Sequence, residues 1–152
     1  TMPDGGTLLK LAAFDADDLT VISAQLQDAV LTVGDIEYLR RQQKLVMIVK
    51  RFDWESAEER RPGYRRRLAG VQFTRVRSVR SRKIQQSSKD GVLMLLAIGF
   101  EPGESPAGAI TLTFAGGGLM RLEVECVEVK VEDLGPEWET FRKPAHDEAE
   151  TG

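Results

Sequence analysis

The chain has 152 residues, 24 acidic against 21 basic side chains, a net charge of −3, and 41% hydrophobic and 30% charged residues. That length suits one domain of about 100–150 residues with a core of its own, and the composition is not that of a disordered chain. A lone cysteine, Cys126, excludes an intrachain disulfide framework, and no apolar run approaches the ~20 residues of a membrane-spanning helix.

In chain order, residues 1–6 read as a disordered lead and Thr7 to Phe14 as a strand of mixed pattern. Asp15 is placed to cap a helix over residues 16–27. Asp17 and Asp18 suit the positive end of its dipole, and Leu19, Ile22 and Leu26 follow at helical spacing. Val30, Leu31 and Val33 favour a strand, Gly34-Asp35 a turn or bulge, and Ile36 to Leu39 a resumed strand. Arg40 to Lys44 reads as a hairpin loop. Leu45 to Phe52 is a continuous apolar run, read as a strand covered on both faces. Glu55 to Gly63 is a charged loop. Leu68 to Ile84 is again strand-like, with a bulge or twist near Thr74 because Val71 and Phe73 share one face and Val76 the other.

Val92 to Phe100 is a second fully apolar strand. Pro102, Gly103, Pro106 and Gly108 give loop chemistry, after which Ile110, Leu112 and Phe114 alternate with threonines. Gly116-Gly117-Gly118 reads as a hairpin turn. Met120, Leu122, Val124 and Cys126 then alternate with Arg121, Glu123 and Glu125, and the parity flips at Val127, which a single bulge near Cys126 would reconcile. Gly135-Pro136 stops the strand, Trp138 and Phe141 suit a short docked helical turn, and residues 143–152 read as a disordered acidic tail. The expected architecture is α+β and mostly β. It is an antiparallel sheet, roll or partly open barrel of six to eight strands, with one N-terminal helix and a pleckstrin-homology-like roll among the candidates. Residues 7–142 form its single domain.

The inventory of reactive groups is thin. The only histidine, His146, lies in the expected tail, so a Ser-His-Asp or Cys-His site has no fixed base. Cys126 has Glu123, Glu125 and Glu128 nearby, and carboxylates disfavour a thiolate, so it reads as a structural cysteine. Zinc spacing is absent, and helix capping accounts for Asp15, Asp17 and Asp18 without an ion. The three glycines lack the following helix that a phosphate cradle requires. No cofactor is expected, and carboxylate acid–base chemistry has no spacing that points to it.

Charge segregation is the one feature with functional content. From Arg60 to Lys83 stand ten basic residues and no acid, which leaves eleven basic against 24 acidic residues elsewhere, a balance of −13. Such a segment suits an anionic or acidic macromolecular partner, with Arg65, Arg66, Arg67, Arg75, Arg77, Arg80 and Arg82 as contacts. Tyr64 and Phe73 are the only rings inside it, and Phe73 reads as core-facing, so support for base stacking is weak. The competing account pairs Arg75, Arg77, Arg80 and Arg82 across strands with Glu123, Glu125, Glu128 or Glu132. A pocket for a small anion is the third.

Leu26-Gln27-Asp28-Ala29-Val30, Val33-Gly34-Asp35-Ile36 and Arg51-Phe52-Asp53-Trp54-Glu55 resemble blocks of a family of unknown function, DUF2948, met mainly in alphaproteobacteria. Leu95 to Glu101, Leu122 to Cys126 and Leu134 to Trp138 are similar to its later blocks. The resemblance covers about Leu8 to Trp138. It implies a single, non-secreted bacterial domain in the cytoplasm and supplies no catalytic residue. The leading expectation is therefore a non-enzymatic binding or interaction domain. The alternative is a small-ligand pocket or a carboxylate-dependent enzyme within the β roll. A third reading is a homo-oligomer joined through a long edge strand between Ile110 and Val131.

Overall fold

The computed structural model describes residues 8–52 and 66–134. The expected lead (1–6), the charged loop, Arg65, the C-terminal helical turn and the acidic tail (143–152) lie outside the described residues. The elements are β1 (Lys10–Ala13), α1 (Ala16–Gln25), β2 (Val30–Thr32), β3 (Ile36–Leu39), β4 (Lys44–Phe52), β5 (Arg66–Phe73), β6 (Val76–Arg82), β7 (Val92–Pro102), β8 (Gly108–Phe114), β9 (Leu119–Val124) and β10 (Val129–Asp133). They form one antiparallel sheet in the order β1-β10-β5-β4-β2-β7-β8-β9-β6, with β3 on β4 beside β2. The fold is thus α+β and mostly β, as expected. The sheet stays open and does not close into a barrel.

Among the described residues there are ten strands rather than six to eight, because residues 30–39, 66–82 and 119–133 each divide between two strands. Residues 30–39 divide around a 3-10 turn at Val33–Asp35, where the Asp35 carboxylate accepts from the Thr32 N–H (3.1 Å) and hydroxyl (2.9 Å). Residues 66–82 divide at Thr74-Arg75, where Arg75 takes a left-handed φ of 61°. The third break comes after Val124. What was expected as a bulge near Cys126 is a four-residue passage from β9, which pairs with β8 and β6, to β10, which pairs with β5 and β1. The parity change at Val127 therefore marks a change of sheet partner.

Helix α1 begins where Asp15 predicts: its carboxylate accepts the Asp18 N–H at 2.8 Å and satisfies an otherwise free donor of the first turn. Asp15→Ala is expected to lower stability by about 1 kcal/mol, read as a shifted urea midpoint at unchanged m-value. Leu19, Ile22 and Leu26 are buried against the sheet, each contributing about 1.5–3 kcal/mol. The helix also closes an edge, since Ser23 Oγ accepts the Ile98 N–H of β7 at 2.9 Å, past the point where β7 loses β2 as a neighbour. One continuous cluster spans both halves of the sheet, from Val49, Val71 and Phe73 to Leu112, Phe114 and Leu122, so the sheet curls around a shared core.

Two apolar runs behave differently. In β4 buried and half-buried residues alternate, with Leu45, Met47 and Val49 inward. In β7 only Leu95 and Ile98 are buried, while Val92 is 70% exposed and Met94 and Leu96 also face solvent. Gly108 opens β8 because any Cβ there would overlap the Glu101 carbonyl and the Phe100 ring. The three-glycine segment turns the β8–β9 hairpin, with Gly116 and Gly117 at φ 85° and 97°.

Candidate functional site

The described part of the basic segment, residues 66–83, does not form one surface. Arg66 opens β5, and its guanidinium donates to the Asp28 carbonyl (2.8 Å) and the Lys50 carbonyl (3.2 Å) while lying 5.9 Å from the Phe52 ring centroid. It ties β5 to β4 and to the end of the helical segment. Arg67 stands opposite Arg51 in register, half-buried, and is not free. Arg75 sits at the corner between β5 and β6, 3.2 Å from Glu128 and 3.8 Å from Glu125. The cross-strand pairing expected for four arginines holds for this one alone. The pair is solvated and stabilises the corner by at most about 1 kcal/mol.

Arg77, Arg80 and Arg82 are different. All three lie on β6, are exposed, and form no ion pair with a described residue. The acids expected to neutralise them are occupied or remote. Glu123 accepts Arg121 Nε at 2.9 Å, and Glu132 faces Lys10 in register on β1. The local sequence explains the placement. Val76 and half-buried Val79 pack on the core, and the register shifts between Val76 and Ser78, so a bulge puts Arg77 outward. From Val79 onward alternation points Ser81 inward and Arg80 and Arg82 to the outer face.

The outer face sets a second arginine beside this row. Arg80 is paired directly with Arg121 of β9, a like-charge juxtaposition that costs free energy unless one partner is neutralised. Arg121 is the neutralised one: Glu101 lies 2.7 Å from it on one side and Glu123 2.9 Å on the other. Its hydrogen bond to Glu123, then that to Glu101, raises its pKa, so it stays a cation throughout. Arg80 itself makes no ion pair with a described residue, although the two glutamates on Arg121 balance the two arginines in sum. Exposed Lys83 follows Arg82 directly.

An open cleft of about 620 Å³ adjoins this edge, where Arg77 and Ser78 face Glu104 and Glu123 across Gly103 and Gly108. Its charges are mixed, and neither a histidine nor a cysteine is among its lining residues. Half-buried Cys126 lies in the passage between β9 and β10. The segment from Ile110 to Val131, expected as an oligomerising edge, is a correction. β8 and β9 lie inside the sheet, β10 lies between β1 and β5, and the sheet ends at β1 and β6.

Sequence reasoning missed one charged pair. Arg51 on β4 reaches across Ala69 on β5 to Asp133 on β10, with Nε–Oδ1 at 2.8 Å and Nη2–Oδ2 at 2.7 Å. The two side chains are 6% and 0% exposed. Asp133 Oδ2 also accepts the Leu9 N–H at 2.8 Å, which fastens β1 to β10. The pair lies buried among β4, β5 and β10. The signal was present in the alternation: Arg51 continues the inward series Leu45, Met47, Val49, and Asp133 continues Val129, Val131.

The fold and site thus define an α+β protein with an open antiparallel sheet, one helix at its edge and a basic terminal strand. Residues 9–146 match the model of DUF2948, a protein family of unknown function, and the chain belongs to that family. Searches of curated proteins and of solved structures returned no match. No helix among the described residues is long and apolar enough to cross a membrane.

Proposed function

We propose that this protein is a non-enzymatic binding domain that engages an anionic macromolecule through β6, acting in the bacterial cytoplasm. The observation that carries the reading is the row of three exposed arginines, Arg77, Arg80 and Arg82, without an ion-pair partner among the described residues. Cations in one row that make no direct ion pair attract a polyanion and release its counterions, which makes binding salt-dependent. Of the seven arginines singled out in the sequence, these three are the contacts. Arg66, Arg67 and Arg75 serve the fold. The lone cysteine and the resemblance to alphaproteobacterial sequences support the location and origin.

A salt titration of binding to a single-stranded oligonucleotide tests this. With three phosphate contacts, log K falls with a slope of about −2 against log salt between about 50 and about 200 mM. Arg77→Glu/Arg80→Glu/Arg82→Glu abolishes binding, and Arg75→Glu leaves it within about two-fold because that charge is already shared with Glu125 and Glu128. Equal binding by the triple variant, or none by the wild type at low salt, sinks the reading.

A further inference from the structure

We infer that β6 is an acceptor edge for strand addition, and that its partner is an extended acidic peptide whose acids alternate with apolar residues. The inference rests on the proposed basic contact surface and names its partner. Among the described strands β6 is the last of the sheet and pairs only with β9. Its one further backbone bond is at its start, where the Val76 N–H donates to the Gln43 carbonyl at 2.8 Å. From Arg77 to Arg82, alternate N–H and C=O groups point away from β9 and meet no described strand. An exposed run of this kind is a template for another chain.

Charge decides which chain. A second copy of β6 would set arginine against arginine, and like charges opposite one another oppose pairing. An acidic strand does the reverse. Its side chains on the outer face fall beside Arg80 and Arg82, two residues apart along one strand, so the partner's acids recur at every second position. Its intervening side chains fall on the inner face beside Val79 and beside Ser81, whose hydroxyl accepts a hydrogen bond from Gln86 Nε2 at 2.6 Å. There Val79 and Ile84 are half-buried against the core and still partly open to solvent. Apolar side chains at those positions extend the core by one strand. Main-chain bonds supply affinity, and the alternating side chains supply specificity. A nucleic acid can use the arginines but has no peptide groups to complete the ladder.

The test compares three probes at low salt: a glutamate–valine alternating peptide, the same peptide with its backbone nitrogens methylated, and an oligothymidylate of equal charge. Strand addition predicts that the unmodified peptide binds at least about ten-fold tighter than the methylated one. It also predicts slowed hydrogen exchange at alternate amides between Arg77 and Arg82. Equal binding by all three, abolished by the triple glutamate variant, overturns strand addition while the basic edge stands. Binding by none of them overturns the basic edge as well.

Discussion

Asp133→Ala is expected to destabilise the protein by about 3–5 kcal/mol, the cost of stripping one partner from a buried ion pair. Arg51 is 5% exposed as a residue, and the variant removes both its carboxylate bonds, leaving a guanidinium that cannot give up its proton. The same change frees the Leu9 N–H and loosens the attachment of β1 to β10. For a chain of this length, thermal unfolding should fall by about 10 °C or more. The double variant Arg51→Leu/Asp133→Leu is the informative companion. Two apolar side chains at an end of the core remove both buried ions at once, so the double variant should recover much of what the single one loses. A loss below about 1 kcal/mol for Asp133→Ala would mean that water reaches the guanidinium and that the pair is not a structural tie.

The second large effect is expected at Phe73. Its ring is fully buried at the end of β5, in register with Leu45 of β4 and Val129 of β10, one residue before the chain leaves for β6. Phe73→Ala removes the side chain at the junction of the two sheet halves and should cost about 3–5 kcal/mol, transfer and cavity together. Chemical denaturation gives the number. Phe73→Leu keeps most of the volume and should cost about half as much or less. Similar losses in the two variants would show that ring shape, rather than filled volume, holds the corner.

Local patterns along the chain resolved much of this architecture. Asp15 caps the helix because a short carboxylate beside free N–H groups acts within one turn. The three-glycine hairpin and the alternation of β8 and β9 follow from φ/ψ freedom and a two-residue period, both local properties. Errors came where a residue's surroundings are set by another part of the chain. Val92, Met94 and Leu96 look like core residues by type, yet are exposed because no described element lies over the outer face of β7. The parity flip at Val127 looks like a bulge, because a two-residue period records the face a residue takes and not the strand it pairs with.

The candidate site divides along the same line. Composition and order along the chain determined that ten basic residues stand together without an acid, that no histidine or cysteine pair is available for catalysis, and that a mostly β chain with one helix follows. Which arginines are spent on the fold was decided only by strand order. Arg75 meets Glu128, 53 residues later, because the β9–β10 passage returns to the β5–β6 corner, while Glu123 is taken by Arg121 two residues away. Arg77, Arg80 and Arg82 form no ion pair among the described residues because β6 is the terminal described strand and the strand beside it carries an arginine opposite Arg80. Charge acts through space over a few ångströms, so its effect depends on contacts that only a completed sheet can set.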